Sequence, residues 1–356
     1  MTGRAAGAPL NPSPDRPRLN GPRPNRPRLV RVPLVVLATA VAGVLAATWL
    51  TMTAPVPGIV EPGPLVEFGV AVARLLVELG ATGALGMALV PTLVGAGRPS
   101  DRAELFARAD RLGMLAAVLW LGGALVTVLL QAAELRPGAP VTAGVVADYV
   151  RGFGSGQALL VSAAVAAVCA LAFLAGSRVP SLLRAVLAAA GLIPIVLAGH
   201  ASSGTTPWHA MMADLLVLHV IAAAAWTGGL VAILVLVAPR AALLAGALPR
   251  FSALAGACLI TIALTGAFSA TIELTTTPGV DLPGTLVRSD YVLILAAKTG
   301  CLLAVAAIGW RMRYRLLPAI ARRHRTALIA WGMGEVALLG LAFGLAGALS
   351  RSPVIG

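Results

Sequence analysis

Apolar runs recur along nearly the whole chain, and short segments that carry arginine separate them. Each run is about 20 residues long, enough for a helix to span the hydrocarbon core of a bilayer. The runs are continuous and lack the period of two that a membrane β-barrel requires. Hydrophobic residues make up 58% of the 356 residues and charged residues only 12%. The sequence therefore predicts an all-α, polytopic transmembrane helix bundle.

The runs predict nine membrane spans within one transmembrane domain, residues 32–350. They lie at Pro33–Thr51 and near residues 65–95, 112–133, 157–176, 182–201, 208–237, 251–272, 290–310 and 327–350. Residues 1–31 are rich in proline and arginine and too poor in apolar residues to fold. We expect them to form a disordered basic tail in the cytoplasm.

The basic residues predict the orientation of the chain, and all but one of these 27 residues are arginine. With a cytoplasmic amino terminus, 21 arginines lie on the inner side of the membrane and four on the outer side. This asymmetry follows the rule that positive charge stays on the cytoplasmic side. The net charge of +13 therefore reflects topology, and we expect no nucleic-acid partner. The chain is predicted to be a multi-pass protein of the cytoplasmic membrane.

Three of the four histidines lie in one short segment, GHASSGTTPWHAMMADLLVLHVIAAAAW. The predicted topology places His200 at the end of the fifth span and His209 at the start of the sixth, both at the outer face. His219 lies about 16 Å deeper, near the middle of the membrane. Met212, His219 and Trp226 are spaced seven residues apart and share one stripe of the sixth span.

The side chains of this segment are ligands that suit copper. Imidazole binds copper in either oxidation state, and thioethers suit Cu(I). An aspartate in the same span can pair with a histidine or orient it. The candidate copper contacts are His200, His209, His219, Met211, Met212 and Asp214. Ordinary structural roles are the alternatives, namely interface histidines, an interhelical hydrogen bond and methionines that fill gaps.

Four charged residues fall within the predicted spans, where burial of charge is costly. Arg74 and Glu78 are four residues apart and can pair along one helix. Lys298 and Glu335 lie at similar depths on the eighth and ninth spans and can form an ion pair if those helices touch. A proton or ion relay is the alternative role for these charges.

The three cysteines each lie inside an apolar run, and no CxxC or CxxxC spacing links them. We expect Cys169, Cys258 and Cys301 to be small buried hydrophobic residues without disulfides. A soft ligand for Cu(I) is the alternative.

Five short motifs follow one another between about residue 180 and residue 320. They are the G-H of Gly199 and His200, His219 followed by W-x-G-G at Trp226, Gly228 and Gly229, the R-F-S of Arg250, Phe251 and Ser252, the T-G of Thr265 and Gly266, and the Y-x6-K of Tyr291 and Lys298. In order and spacing they resemble the CopD family of bacterial copper-resistance membrane proteins, whose relatives include copper-uptake proteins.

The resemblance implies movement of copper across the cytoplasmic membrane, with His200, His209 and His219 as candidate contacts. We expect import, with the copper ion as the bound metal and no enzymatic activity. No GxxxxGK[ST] motif for ATP binding appears, so transport is expected to be passive or coupled to another gradient. Because no histidine-rich or methionine-rich outer loop is present, a separate extracytoplasmic protein is expected to deliver the copper.

Two other functions stay open at this point. A helix bundle can hold b-type haem between two histidines, and His200 with His219 would be the pair. Their predicted depths differ by about half a membrane, which counts against this electron-transfer function. The chain could also assist the assembly of a copper enzyme without transporting copper.

Overall fold

Helices account for nearly all of the chain that the computed structural model describes. The described residues are 31–50, 62–95, 99–198, 207–276, 290–311, 332–342 and 344. The helices are α1 (Arg31–Leu50), α2 (Pro64–Val94), α3 (Pro99–Leu135), α4 (Ala143–Gly152), α5 (Gly154–Leu174), α6 (Ser181–Ala190), α7 (Ile193–Leu197), α8 (Pro207–Ala232), α9 (Ala241–Thr276), α10 (Asp290–Arg311) and α11 (Gly332–Ala342). No β-strand occurs within these residues, and the prediction of an all-α bundle is confirmed.

Five helices in the described part of the chain are long and apolar enough to cross a membrane. They are α2, α3, α5, α8 with its π-helical extension Ile233–Val237, and α9. Shorter apolar helices cover Val32–Ala46, Ser181–Leu197 and Gly332–Ala342. The count of nine spans and the cytoplasmic amino terminus stay predictions. So does the basic tail, because residues 1–30 lie outside the described residues.

The run at residues 182–201, predicted as one span, is interrupted between α6 and α7. Pro194 has no backbone N–H and disfavours a helical conformation in the residue before it. At the break, the Ser162 hydroxyl accepts a hydrogen bond from Trp120 Nε1 at 2.9 Å and donates to the Gly191 carbonyl at 2.8 Å. A carbonyl released by the break is therefore satisfied by buried protein groups, as irregular backbone within a membrane requires.

Helix α2 is central to the packing and contacts α1, α3, α6, α8 and α9. Its contact with α8 is a close approach of two backbones. A β-carbon at Gly228 on α8 would collide with the carbonyl oxygen of Thr82 and with the backbone of Gly86 on α2. Small residues at such crossings let membrane helices pack tightly. The crossing therefore fixes the position of α8, which carries His219, relative to α2.

We expect Gly228→Ala to lower the midpoint of thermal unfolding in detergent, because the new methyl group meets backbone that cannot move aside. Overpacking of this kind costs about 1–3 kcal/mol. Gly256→Ala in α9 is the matched control, since no atom lies within 4 Å of a β-carbon there. The control should keep or raise the midpoint, because alanine favours helix over glycine. Equal midpoints for the two variants would contradict the α2–α8 contact.

The arginine and phenylalanine of the R-F-S motif tie α9 to its neighbours. Arg250 Nη1 donates to the carbonyl of Val94 at 2.9 Å and approaches that of Leu93 at 3.5 Å, at the end of α2. These last carbonyls lack intrahelical donors, and positive charge is favourable at this end of a helix. A β-carbon at Gly229 would lie 3.3 Å from the Phe251 ring. Both motif residues therefore have a packing role between α2, α8 and α9.

The last described segment packs against α1 and α8. Gly340 and Gly344, four residues apart, lie against the backbone of α1, the small-residue pattern of close helix pairs. Nearer the start of α11, Gly332 faces the side chain of Leu234 in the extension of α8. This arrangement directs Glu335 towards α8.

Candidate functional site

His219 lies in the middle of α8, and Thr265 of α9 fixes the orientation of its ring. His219 Nδ1 is 2.9 Å from Thr265 Oγ1. The same hydroxyl donates its only proton to the carbonyl of Thr261 at 2.7 Å. This donation leaves a lone pair on the Thr265 oxygen for the imidazole and favours the tautomer with the proton on Nδ1. His219 Nε2 then carries the lone pair, as a metal-binding imidazole requires.

Other groups of α9 also lie close to the ring. A β-carbon at Gly266 would lie 3.4 Å from His219 Cε1, and the backbone carbonyl of Ile262 lies near the ring. The T-G motif thus lies where α9 meets the histidine of α8. Thr265 could not be recognised as its partner from the sequence, because the two residues are 46 positions apart. The only signal for Thr265 in the sequence was its place in the T-G motif.

Charged residues of α2 and α10 lie near this histidine. Lys298 is within electrostatic range of both His219 and Glu78. Glu78 is also within range of Arg74, one turn earlier on α2. The side chains of Arg74, Glu78, His219 and Lys298 are all partly buried. We refer to Glu78, His219, Thr265 and Lys298 as the polar cluster.

The described residues form no ion pair between Lys298 and Glu335, contrary to the prediction. Glu335 is only 6% exposed, and its Oε1 accepts a hydrogen bond from Trp226 Nε1 at 3.3 Å. Lys298 instead lies within electrostatic range of Glu78. The reason is helix packing, since α11 lies on α1 and α8 and presents its acid to the indole of α8.

The stripe on α8 places Met212 and Trp226 on the side of the helix that carries His219. Both side chains are buried, with exposed fractions of 7% and 3%. Met211 and Asp214 have exposed side chains. Asp214 is five residues from His219, about 140° around the helix. Met212 therefore remains a candidate contact on the approach to His219, and roles for Met211 and Asp214 stay predictions.

The outer part of the predicted copper path is not covered, since His200 and the side chain of His209 lie outside the described residues. Among the described residues, no group of three or more His, Cys, Asp or Glu side chains could hold a metal ion. Cys169, Cys258 and Cys301 are buried and free, as predicted. His219 is thus the one histidine whose side chain the structure describes.

Two family models match successive parts of the chain. The model of the copper resistance protein D-like N-terminal domain matches residues 65–210, and that of copper resistance protein D matches residues 245–349. Together they cover more than two thirds of the chain and begin well before the motifs of residues 180–320. No curated protein and no solved structure matches. The chain belongs to the copper resistance protein D family and is a copper-handling, multi-pass membrane protein.

Proposed function

We propose that the protein admits copper across the cytoplasmic membrane and that His219 binds the ion on its way. The observation that carries this proposal is the hydrogen-bond chain from His219 through Thr265 to Thr261. It leaves Nε2 as an unprotonated nitrogen donor inside a helix bundle. A free imidazole nitrogen suits copper in either oxidation state.

The neighbouring charges favour passage of the ion over tight retention. The ammonium group of Lys298 lies within electrostatic range of His219 and repels a bound cation. The carboxylate of Glu78 offsets part of this repulsion because it lies within range of the same lysine. A single imidazole beside a partly compensated positive charge binds copper weakly enough to release it.

The predicted path starts at the outer face with His200 and His209. Met212 follows on the stripe of α8, about 10 Å before His219, and its buried thioether suits Cu(I). We infer that an extracytoplasmic protein delivers copper to the first two histidines, since the sequence contains no collecting loop. The protein acts in this proposal as a permease and not as an enzyme.

His219→Ala is expected to lower copper uptake into proteoliposomes by at least about tenfold. Loss of a group that only orients a metal ligand already costs about 10–100-fold, so loss of the ligand itself should cost no less. Uptake is measured as trapped copper after removal of external metal. His324→Ala is the control, because His324 is the one histidine outside the predicted path. The control should transport copper at the wild-type rate.

Two outcomes would count against the proposal. Wild-type proteoliposomes that gain no more copper than protein-free liposomes would refute transport itself. Uptake by His219→Ala at the wild-type rate, with an unchanged thermal midpoint, would reduce His219 to a helix-packing residue.

A further inference from the structure

Glu335 is an ionisable residue that takes no part in the copper binding proposed at His219. It lies on α11 with only 6% of its surface exposed. The indole N–H of Trp226, 3.3 Å from its Oε1, is the one hydrogen-bond donor that the described residues offer it. Trp226 is seven residues beyond His219, about 10 Å along α8. Glu335 therefore lies deeper along the same helix than the candidate copper contact.

Among the side chains that the structure describes on α1 and α8, none that carries a charge faces Glu335; the side chain of Arg31, the first residue of α1, lies outside that description. Helix α1 carries no charged residue from Val32 to Leu50, and α8 with its extension carries no titratable residue from Val220 to Val237. Within α11 itself, Glu335 is the sole titratable residue. On α2 and α10, Glu78 and Lys298 lie within electrostatic range of each other. In the described part of the chain, Glu335 takes part in no ion pair.

A carboxylate in such surroundings requires a positive charge to neutralise it. Burial of an uncompensated charge is so costly that the group instead binds a proton or a cation. Trp226 donates a hydrogen bond but carries no charge, so it does not compensate the charge of the carboxylate. The carboxyl group can therefore hold one positive charge at a time, either a proton or a passing cation.

Two buried hydroxyl groups lie near the same level of the bundle. Thr227 follows Trp226 directly, and the carbonyl of Thr82 lies against Gly228 where α2 crosses α8. Their side-chain oxygens have no hydrogen-bond partner among the described residues, and the two residues are 1% and 4% exposed. Other threonines of the bundle donate their hydroxyl proton to a carbonyl in the preceding turn. The hydroxyls of Thr82 and Thr227 make no such bond and are therefore available to pass a proton.

We propose that Glu335 is a proton-binding site that exchanges its proton for passing copper, so that one proton moves outwards as one Cu(I) ion moves inwards. This inference rests on the proposed copper transport. The carboxyl group holds a proton when no copper is near and loses it when the cation approaches along α8. Each exchange replaces one positive charge by another, and no oxidation or reduction takes place.

The test uses the full chain in proteoliposomes that contain a trapped pH-sensitive dye, with external Cu(I) maintained by ascorbate. As copper enters, the interior of wild-type vesicles should become more alkaline, and an acidic interior should accelerate uptake. Glu335→Gln keeps the shape and can accept from Trp226, but it cannot release a proton. It should reduce copper-linked proton movement to the level of protein-free liposomes, whereas Glu335→Asp should retain it.

Infrared spectroscopy provides a second readout on purified protein. The wild type should show a carboxylic-acid C=O band that is lost on addition of Cu(I) and is absent in Glu335→Gln. Copper uptake without proton movement, or the absence of this band in the wild type, would overturn the exchange and leave copper transport intact. Absence of wild-type copper uptake would refute the transport proposal as well.

Discussion

Thr265→Val is expected to lower copper affinity and copper uptake by about 10–100-fold, although valine has nearly the shape of threonine. The lost hydroxyl is the group that accepts from His219 Nδ1 at 2.9 Å. Without it, the proton on Nδ1 no longer has this partner, and the ring is free to turn or to take the other tautomer. In either case, Nε2 ceases to be a fixed donor for the metal.

The measurement is competition with a coloured Cu(I) chelator in detergent, followed by uptake in proteoliposomes. Thr271→Val is the matched control on the same helix, because the Thr271 hydroxyl is exposed and donates to the carbonyl of Ala267. Thr265→Ser should restore affinity, since serine provides an equivalent oxygen. Nitrogen chemical shifts of the imidazole should report Nδ1 protonation in the wild type and a mixture of tautomers in the valine variant.

Wild-type copper affinity in Thr265→Val would contradict the orienting role of the hydroxyl. So would a loss that serine does not reverse, because serine retains the oxygen and alters only a methyl contact. A fall in thermal stability with unchanged affinity would show that the hydroxyl stabilises the contact between α8 and α9 and nothing more.

The helical class of the fold was predictable because membrane burial leaves the backbone few choices. In hydrocarbon, each backbone polar group needs an internal partner, so an apolar run long enough to span becomes a helix. The stripe on α8 was predictable for a similarly local reason. Residues seven apart lie on one side of a helix, and Met212 and Trp226 are both buried.

Contacts between helices could not be predicted, because hydropathy does not specify which spans touch. Lys298 and Glu335 lie at similar predicted depths, yet Lys298 of α10 lies within electrostatic range of Glu78 on α2, and α11 directs its acid to Trp226 of α8. The break in the fifth predicted span was hidden for a related reason. Its glycine and proline lie within a run that is apolar throughout, and the groups that satisfy the turn come from α3 and α5.

The ion pair between Asp110 and Arg184 joins helices at a buried position, and its loss should be the most destabilising change among the charged residues described. The Arg184 side chain is 7% exposed and that of Asp110 is 21% exposed. The guanidinium carbon also lies 5.2 Å from the ring centre of Phe173. One cation on α6 therefore interacts with an acid of α3 and an aromatic ring of α5.

Asp110→Asn should cost about 3 kcal/mol of unfolding free energy, near the lower end for broken buried pairs because the aspartate keeps some exposure. The buried guanidinium then lacks a counter-charge, and its contact with the ring does not replace one. Asp148→Asn is the control, since its pair with Arg136 at 3.2 Å has side chains 58% and 62% exposed. Exposed pairs of this kind contribute about 0–1 kcal/mol. Thermal or denaturant unfolding in detergent should separate the two variants clearly.

The double variant Asp110→Asn with Arg184→Met identifies the cause of the loss. If the cost arises from the uncompensated buried charge, removal of that charge should restore most of the stability, since apolar replacements of buried ion pairs are often neutral. Methionine can also pack against Phe173 through its thioether. A double variant as unstable as Asp110→Asn would show instead that the carboxylate itself is needed. Equal losses of unfolding free energy for Asp110→Asn and Asp148→Asn would show that the buried pair contributes no more to stability than the exposed pair.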